Sequence, residues 1–200
     1  RMKAFAANDK EVARAIKLLG KSMRYVLENT GTSYTTLSRE LEHVNVYLDI
    51  QKLRFTDKFD GITEIGEDVD PEKIYILPLL LQPVVENAIL HGLEERERGG
   101  IIKISVTKHM EEQELLCIEV SDNGCGMTEE ELAQLRRNIE QKDITRSKSI
   151  GLYNINQRIK LTYGDAFGIQ VLSVPEEGTR VRLYLPVSRM AEKDSPAVCI

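Results

Sequence analysis

Apolar residues recur at spacings of three and four through Val12, Ile16, Leu19, Met23 and Val26, and the same period returns in Leu37, Leu41, Val44, Leu48 and Leu53. This spacing predicts two amphipathic helices, one over residues 8–27 and one from about residue 37, separated by a polar turn at Asn29-Thr30-Gly31. Two such stripes fit an antiparallel helical pair, or one helix packed on a domain while the other meets a partner chain. Periodicity alone does not choose between a linker and a dimerisation role. From Phe55 the pattern changes. Residues 59–65 read as a strand, Asp70-Pro71 as a turn, and residues 79–91 as a helix apolar on most faces and therefore buried. Ile/Val alternation over 101–108 and 115–121, joined by Glu111-Glu112-Gln113, predicts a β-hairpin. A glycine-punctuated loop, a charged helix, a polar loop and a helix over 152–163 follow, and strands over 167–174 and 179–187 close the pattern around Glu176-Glu177-Gly178. Hairpins mixed with helices predict an α+β fold, a two-layer sandwich of a mixed, mainly antiparallel sheet covered by helices. The expected division is a helical segment over 1–56, the sandwich over 57–189, and a disordered tail over 190–200.

Composition narrows the function classes. Apolar residues are 42% of the 200, charged residues 30%, and the net charge is −5, a globular balance that argues against nucleic acid as a partner. Cys117, Cys125 and Cys199 lack paired metal-ligand spacing and read as reduced thiols of a cytosolic compartment. No run approaches the roughly 20 apolar residues that cross a bilayer, so no membrane contact by these residues is expected. The opening at Arg1, inside charged helix-like sequence, reads as a piece of a longer protein.

Three segments carry candidate chemistry. In Gln82-Pro83-Val84-Val85-Glu86-Asn87-Ala88-Ile89-Leu90-His91-Gly92, Asn87 and His91 lie one helical turn apart on one face, with Glu86 about 100° away. A buried asparagine oxygen needs a partner, which a magnesium ion on phosphate oxygens would supply. Alternatively, Asn87 and His91 hydrogen-bond neighbouring loops. In Val120-Ser121-Asp122-Asn123-Gly124-Cys125-Gly126-Met127, a carboxylate at a strand end is followed by glycines that let backbone approach a flat base. Asp-Asn-Gly is also a hairpin turn, but Thr128 and Glu131 form a capping-box pattern that leads into a helix instead. In the third segment, a polar stretch over 141–149 ends in Gly151, which opens a helix suited to a phosphate.

Taken in order, the asparagine-bearing helix, Asp-x-Gly-x-Gly, Gly-Leu-x-Asn and Gly178-Thr179 resemble the nucleotide-binding boxes of the GHKL superfamily over about residues 74–186. Upstream, the segment from Leu37 to Phe55, with Glu40, Leu41, Glu42 and His43, is similar to the one preceding this domain in LytS/YesM-type sensor histidine kinases. The resemblance implies a histidine kinase that binds ATP and Mg2+. Asn87 would be the metal ligand and, with Glu86, the catalytic pair. Asp122 would read the adenine amine, and Gly124 and Gly126 would shape the base pocket. Gly151 and Leu152 would meet the phosphates, Asn154 would support that turn, Thr179 would bond near Asp122, and His91 would join the nucleotide contacts. Residues 127–150 would form a mobile lid, in which Arg146 and Lys148 are either phosphate contacts or solvated charges. The implied partners are a response regulator and a second copy of the intact kinase. The implied location is the cytoplasmic side of a membrane-anchored sensor.

Four features of the sequence bear on that reading. Leu90 stands where the family often has lysine, and Ser149 where the phosphate loop usually has glycine. The family's Asn-Pro-His-Phe phosphoacceptor motif does not occur in these residues, and His43 and His109 read as packing or surface residues. The competing readings are a GHKL ATPase and a non-catalytic ATP-binding regulatory module. The ATPases place a water-activating glutamate four residues before the asparagine, where this chain has Pro83.

Overall fold

A computed structural model describes residues 2–55, 58–93, 96, 98–110, 114–140 and 150–187. Helix α1 (Met2–Asn29) is followed by strand β1 (Thr35–Thr36) and helix α2 (Leu37–Arg54). Strands β2 (Phe59–Ile65) and β3 (Tyr75–Ile76) lead to helix α3 (Gln82–Asn87), which runs on into a π-helical turn, Ala88–Gly92. Then come β4 (Gly100–Met110), β5 (Glu114–Asp122), α4 (Glu129–Glu140), α5 (Ile150–Tyr163), β6 (Gly168–Val174) and β7 (Gly178–Pro186).

The main sheet has the order β2-β4-β5-β7-β6. Only β2 and β4 pair in parallel, and the other neighbours are antiparallel. Side chains alternate across it as the period of two requires. Ile102, Ile104 and Val106, then Leu116, Ile118 and Val120, then Val181, Leu183 and Leu185 form adjoining buried rows on the helix-covered face. The opposite face carries charge, with the cross-strand pair Glu119–Arg182 at 2.6 Å and Lys103–Glu64 at 2.8 Å. The result is the two-layer α+β sandwich that the hairpin and helix pattern predicts. Leu37, Leu41, Val44 and Leu48 of α2 join the same buried cluster as the sheet, so one core runs from α2 to β7.

The structure chooses between the two helical arrangements and revises one expectation. The apolar stripe of α1 does not face α2: Val12, Ile16, Leu19 and Met23 are all more than half exposed. The helices are antiparallel, and their contact is polar, through Arg14–Asp49, Lys21–Glu42 and Arg39–Glu28. Tyr25 adds an aromatic contact, stacking on His43 with ring centroids 4.2 Å apart. Of the two arrangements the stripes permit, the observed one packs α2 on the domain and leaves the α1 stripe uncovered. Secondly, helix α3 begins three residues later than the apolar run suggests. Leu79 sits at φ +57, outside helical backbone, and Pro83 falls in the first turn, where its missing N–H costs nothing.

Asn156 ties the layers together from a fully buried position. Its Nδ2 donates to the Ile139 carbonyl at the end of α4 (3.3 Å), and its Oδ1 accepts the Ile169 amide at the start of β6 (3.0 Å). Asn156→Ala would orphan both groups in the interior. It is expected to cost about 1–3 kcal/mol for each, read as a shift in the urea midpoint at unchanged slope.

Candidate functional site

Helix α3 and its π turn supply one wall of the site. Asn87 Nδ2 donates to the Pro83 carbonyl at 2.8 Å, which commits the amide nitrogen to the helix and leaves the oxygen as the free end of the side chain. The π turn closes through the Leu93 amide and the Ala88 carbonyl at 3.1 Å, a distortion that recurs at functional sites. It brings His91 to the cavity rim and drives buried Gly92 against Asp122.

Asp122 owes its place to strand alternation. It continues the inward row Leu116, Ile118 and Val120 to the end of β5, so a carboxylate lies where the pattern otherwise puts aliphatics. Its Oδ1 accepts the Gly124 amide at 2.8 Å and the Thr179 amide at 3.3 Å. Burial raises its pKa above the ordinary carboxylate range, against the opposing effect of those two amides. Two glycines make room for it. A side chain at Gly92 would begin 2.5 Å from Asp122 Oδ1, and one at Gly124 would meet the Gly92 carbonyl oxygen at 1.9 Å. The Thr179 hydroxyl turns away, to Ser173 Oγ at 2.9 Å, so its backbone rather than its side chain serves Asp122.

A cavity of about 1130 Å3 joins these parts. Of the residues singled out from sequence, Asn87, His91, Asp122, Gly126, Leu152 and Thr179 line it. Glu86 does not: it accepts Gln82 Nε2 at 2.8 Å and lies against Tyr47 of α2, whose hydroxyl is pushed up to about 12 by burial and then by the Glu86 charge. Gly124 lies behind the wall as packing against Gly92, and Asn154 is exposed on α5. Gly151, at the start of α5, faces Pro83 and Asn87, and a Cβ added there would make only ordinary van der Waals contact with them, at 3.6 and 3.8 Å. Arg146, Lys148 and Ser149 lie outside the described residues, as does the tail over 190–200.

The sequence reading missed helix α4 as a wall. Its capping box forms, with the Glu131 amide donating to Thr128 Oγ1 (3.3 Å) and the Thr128 amide donating to Glu131 Oε2 (2.9 Å). Glu130, Ala133, Gln134 and Arg137 then face the cavity at spacings of three, four and seven. That stripe is visible in the sequence as the complement of buried Leu132 and Ile139, and it brings a cation, Arg137, to the site.

Comparison with known proteins identifies the family. The family model described as histidine kinase-, DNA gyrase B- and HSP90-like ATPase matches residues 76–189, and the histidine kinase model matches residues 1–59. The chain is 32% identical over 184 residues to the sensor histidine kinase YesM of Bacillus subtilis, spanning 92% of this chain and 29% of that protein. It is 35% identical over 179 residues to the sensor protein LytS of Oceanobacillus iheyensis, at 89% and 30%. It is also 35% identical over 164 residues to YwpD of Bacillus subtilis, at 82% and 54%. The chain thus spans from under a third to about half the length of these relatives. Among solved structures, the catalytic domain of histidine kinase ThkA superposes with a TM-score of 0.57 at 18% identity, covering 78% of this chain and 99% of that one. The histidine kinase domain of the Erythrobacter litoralis EL346 blue-light activated histidine kinase gives 0.52 at 14%, covering 88% and 75%. These two show the shared fold. The chain belongs to the histidine kinase-, DNA gyrase B- and HSP90-like ATPase family, as an ATP-binding domain of the sensor histidine kinase type.

Proposed function

We propose that this chain holds Mg-ATP for transfer of the γ-phosphoryl group to a histidine on a neighbouring helical segment, from which it passes to an aspartate of a response regulator. The observation that carries the reading is the buried Asp122 carboxylate lining the same cavity as Asn87. Asp122 would accept the exocyclic adenine amine, with Leu152 and Thr179 around the base and phosphate path. Among the described residues no three histidine, cysteine or acidic side chains cluster as a metal site. Magnesium keeps several waters and takes only one or two protein oxygens beside those of a nucleotide. Asn87 would supply that oxygen, and the ion would neutralise phosphate charge. His91 and Arg137 at the rim would add to that neutralisation. The residues then act by orientation and charge rather than as nucleophiles.

Hydrolysis is the weaker reading. Pro83 occupies the position of the ATPase glutamate, and Glu86 is engaged with Gln82 and Tyr47, away from the cavity lining. By this proposal residues 1–56 connect the domain to the phosphoacceptor region and residues 57–189 hold the nucleotide. The uncovered stripe of α1, spaced four, three, four and three from Val12 to Val26, would meet a second copy in the intact kinase. No helix among the described residues is long and apolar enough to cross a membrane, and the domain would work at the cytoplasmic side of an anchored sensor.

Calorimetric titration with a non-hydrolysable ATP analogue should show magnesium-dependent binding, and Asn87→Ala should remove the magnesium dependence. Asp122→Asn should weaken binding at least about tenfold. Its oxygen can keep the Gly124 and Thr179 amides, but its NH2 then faces the adenine amine. Stability should move the other way. The raised pKa of Asp122 means the folded chain keeps that proton at pH values where the unfolded chain has lost it. Its contribution is therefore present below the unfolded pKa and lost as pH rises through the raised folded value. Asp122→Asn, which does not titrate, is expected to melt no lower than the native chain at pH 7, with its relative advantage shrinking on acidification. A native chain that binds no nucleotide would reduce the reading to one of fold. Given binding, transfer of label from ATP to a supplied histidine-bearing helical segment, without matching release of phosphate, separates kinase from ATPase.

A further inference from the structure

The bend over Pro78–Leu81, which launches α3, is held from two sides. From the α2 side, Glu40 is fully buried, and its two oxygens accept the Leu79 and Leu81 amides, each at 2.9 Å. The oxygen that takes Leu79 also accepts the hydroxyl of Tyr25 on α1. From the α5 side, Arg158 donates to the Pro78 carbonyl at 2.8 Å and reaches the Leu79 carbonyl at 3.5 Å. Leu79 is the bend's left-handed residue, a conformation that a branched side chain keeps only where its surroundings fix it. A parallel connection runs one helical turn further on. Gln82 donates to Glu86, which fixes its amide orientation and turns Oε1 to His43, whose Nε2 donates at 2.7 Å. His43 in turn carries the stacked Tyr25 ring.

We propose that Glu40 is a positioning residue for the nucleotide site, acting through the Leu79 and Leu81 amides on α3 and hence on Asn87, and that Tyr25 makes this hold depend on how α1 is seated against α2. The inference rests on the nucleotide reading above and adds a residue to it. When α1 shifts so that its hydroxyl leaves Glu40, the carboxylate loses one of three donors, and the left-handed bend between α2 and α3 loses its fixed end. Asn87 lies six residues beyond Leu81, on a helix whose N-cap residue makes no side-chain hydrogen bond of its own. The bend therefore takes its register from Glu40 and Arg158. Glu40→Gln is not a neutral swap here: one oxygen becomes an NH2 group facing a backbone N–H.

The test is the affinity of the 200-residue chain for magnesium and a non-hydrolysable ATP analogue, at a temperature where circular dichroism shows each variant fully folded. Glu40→Gln is expected to bind about tenfold more weakly and Tyr25→Phe, which keeps the stacked ring, about threefold. The double variant should be no weaker than Glu40→Gln alone, because Tyr25 acts through Glu40. The Asn87 side-chain amide resonance should shift in both single variants, which a purely stabilising role would not produce. A folded Glu40→Gln chain with native affinity and an unmoved Asn87 resonance overturns the proposal. Losses that add in the double variant overturn the part assigned to α1. If Glu40→Gln does not fold, Tyr25→Phe and Arg158→Gln carry the same test from either side of the bend, and native affinity in both overturns it. A native chain that fails to bind sinks the nucleotide reading itself, a result distinct from native binding with unaffected variants.

Discussion

Backbone amides that leave regular structure inside a core must find acceptors, and at the bend that launches α3 one buried carboxylate meets that constraint. Residues 77–81 pass from a two-residue strand into a helix through the interior, with Leu80 and Leu81 fully buried. No ladder partner is at hand for Leu79 and Leu81, and Glu40 takes both. Without that acceptor the bend would have to open to water and α3 would leave its seat between α2 and α5. The walls of the cavity follow from this seat, since Asn87 and the π turn are carried by α3. A charge in the core is usually a liability, but three converging donors turn this one into a fixed point.

Around that seat the cavity is built by subtraction as much as by contact. Strand alternation delivers Asp122 to the buried face, two amides hold one of its oxygens, and the missing side chains of Gly92 and Gly124 leave the space it occupies. Burial works against its charged form more than the two amides favour it, which is the direction in which its pKa is raised. In the proposed reading, a ligand that donates to the remaining oxygen would make up the difference. In that reading, specificity and affinity for a donor-bearing base would draw on the same unfavourable burial.

The sheet was the most legible part of the fold, because a period of two in β4, β5 and β7 can be satisfied by only one assignment of faces. Asn87 and Asp122, which line the cavity, were legible as candidates from short motifs, since each pairs a residue type with a local turn. Glu40 was not. It lies in a helix amid ordinary surface charges, Arg39 and Glu42, and its acceptor role depends on amides about forty residues away. The outward direction of the α1 stripe was equally hidden, because periodicity defines a face and says nothing about what it meets. The role of α4 could have been read from its own spacing. The start of α3 was misjudged because an apolar run of leucines looks helical, and its left-handed residue is held by long-range contacts rather than local propensity.

The π turn at Ala88–Gly92 has a consequence for how sequences of this kind should be compared. A π turn is, in effect, one extra residue accommodated within a helix, so positions beyond it are rotated by about 100° relative to the helix before it. Leu90, at 45% exposure, and His91 are the two exposed positions of the turn, between buried Ala88-Ile89 and Gly92-Leu93, which is where that added residue shows itself. Substitutions at position 90 should thus be tolerated as on a surface loop, whereas deletion of one residue there would turn His91 and Gly92 out of phase with Asp122. Length, more than identity, is the constrained property of this turn.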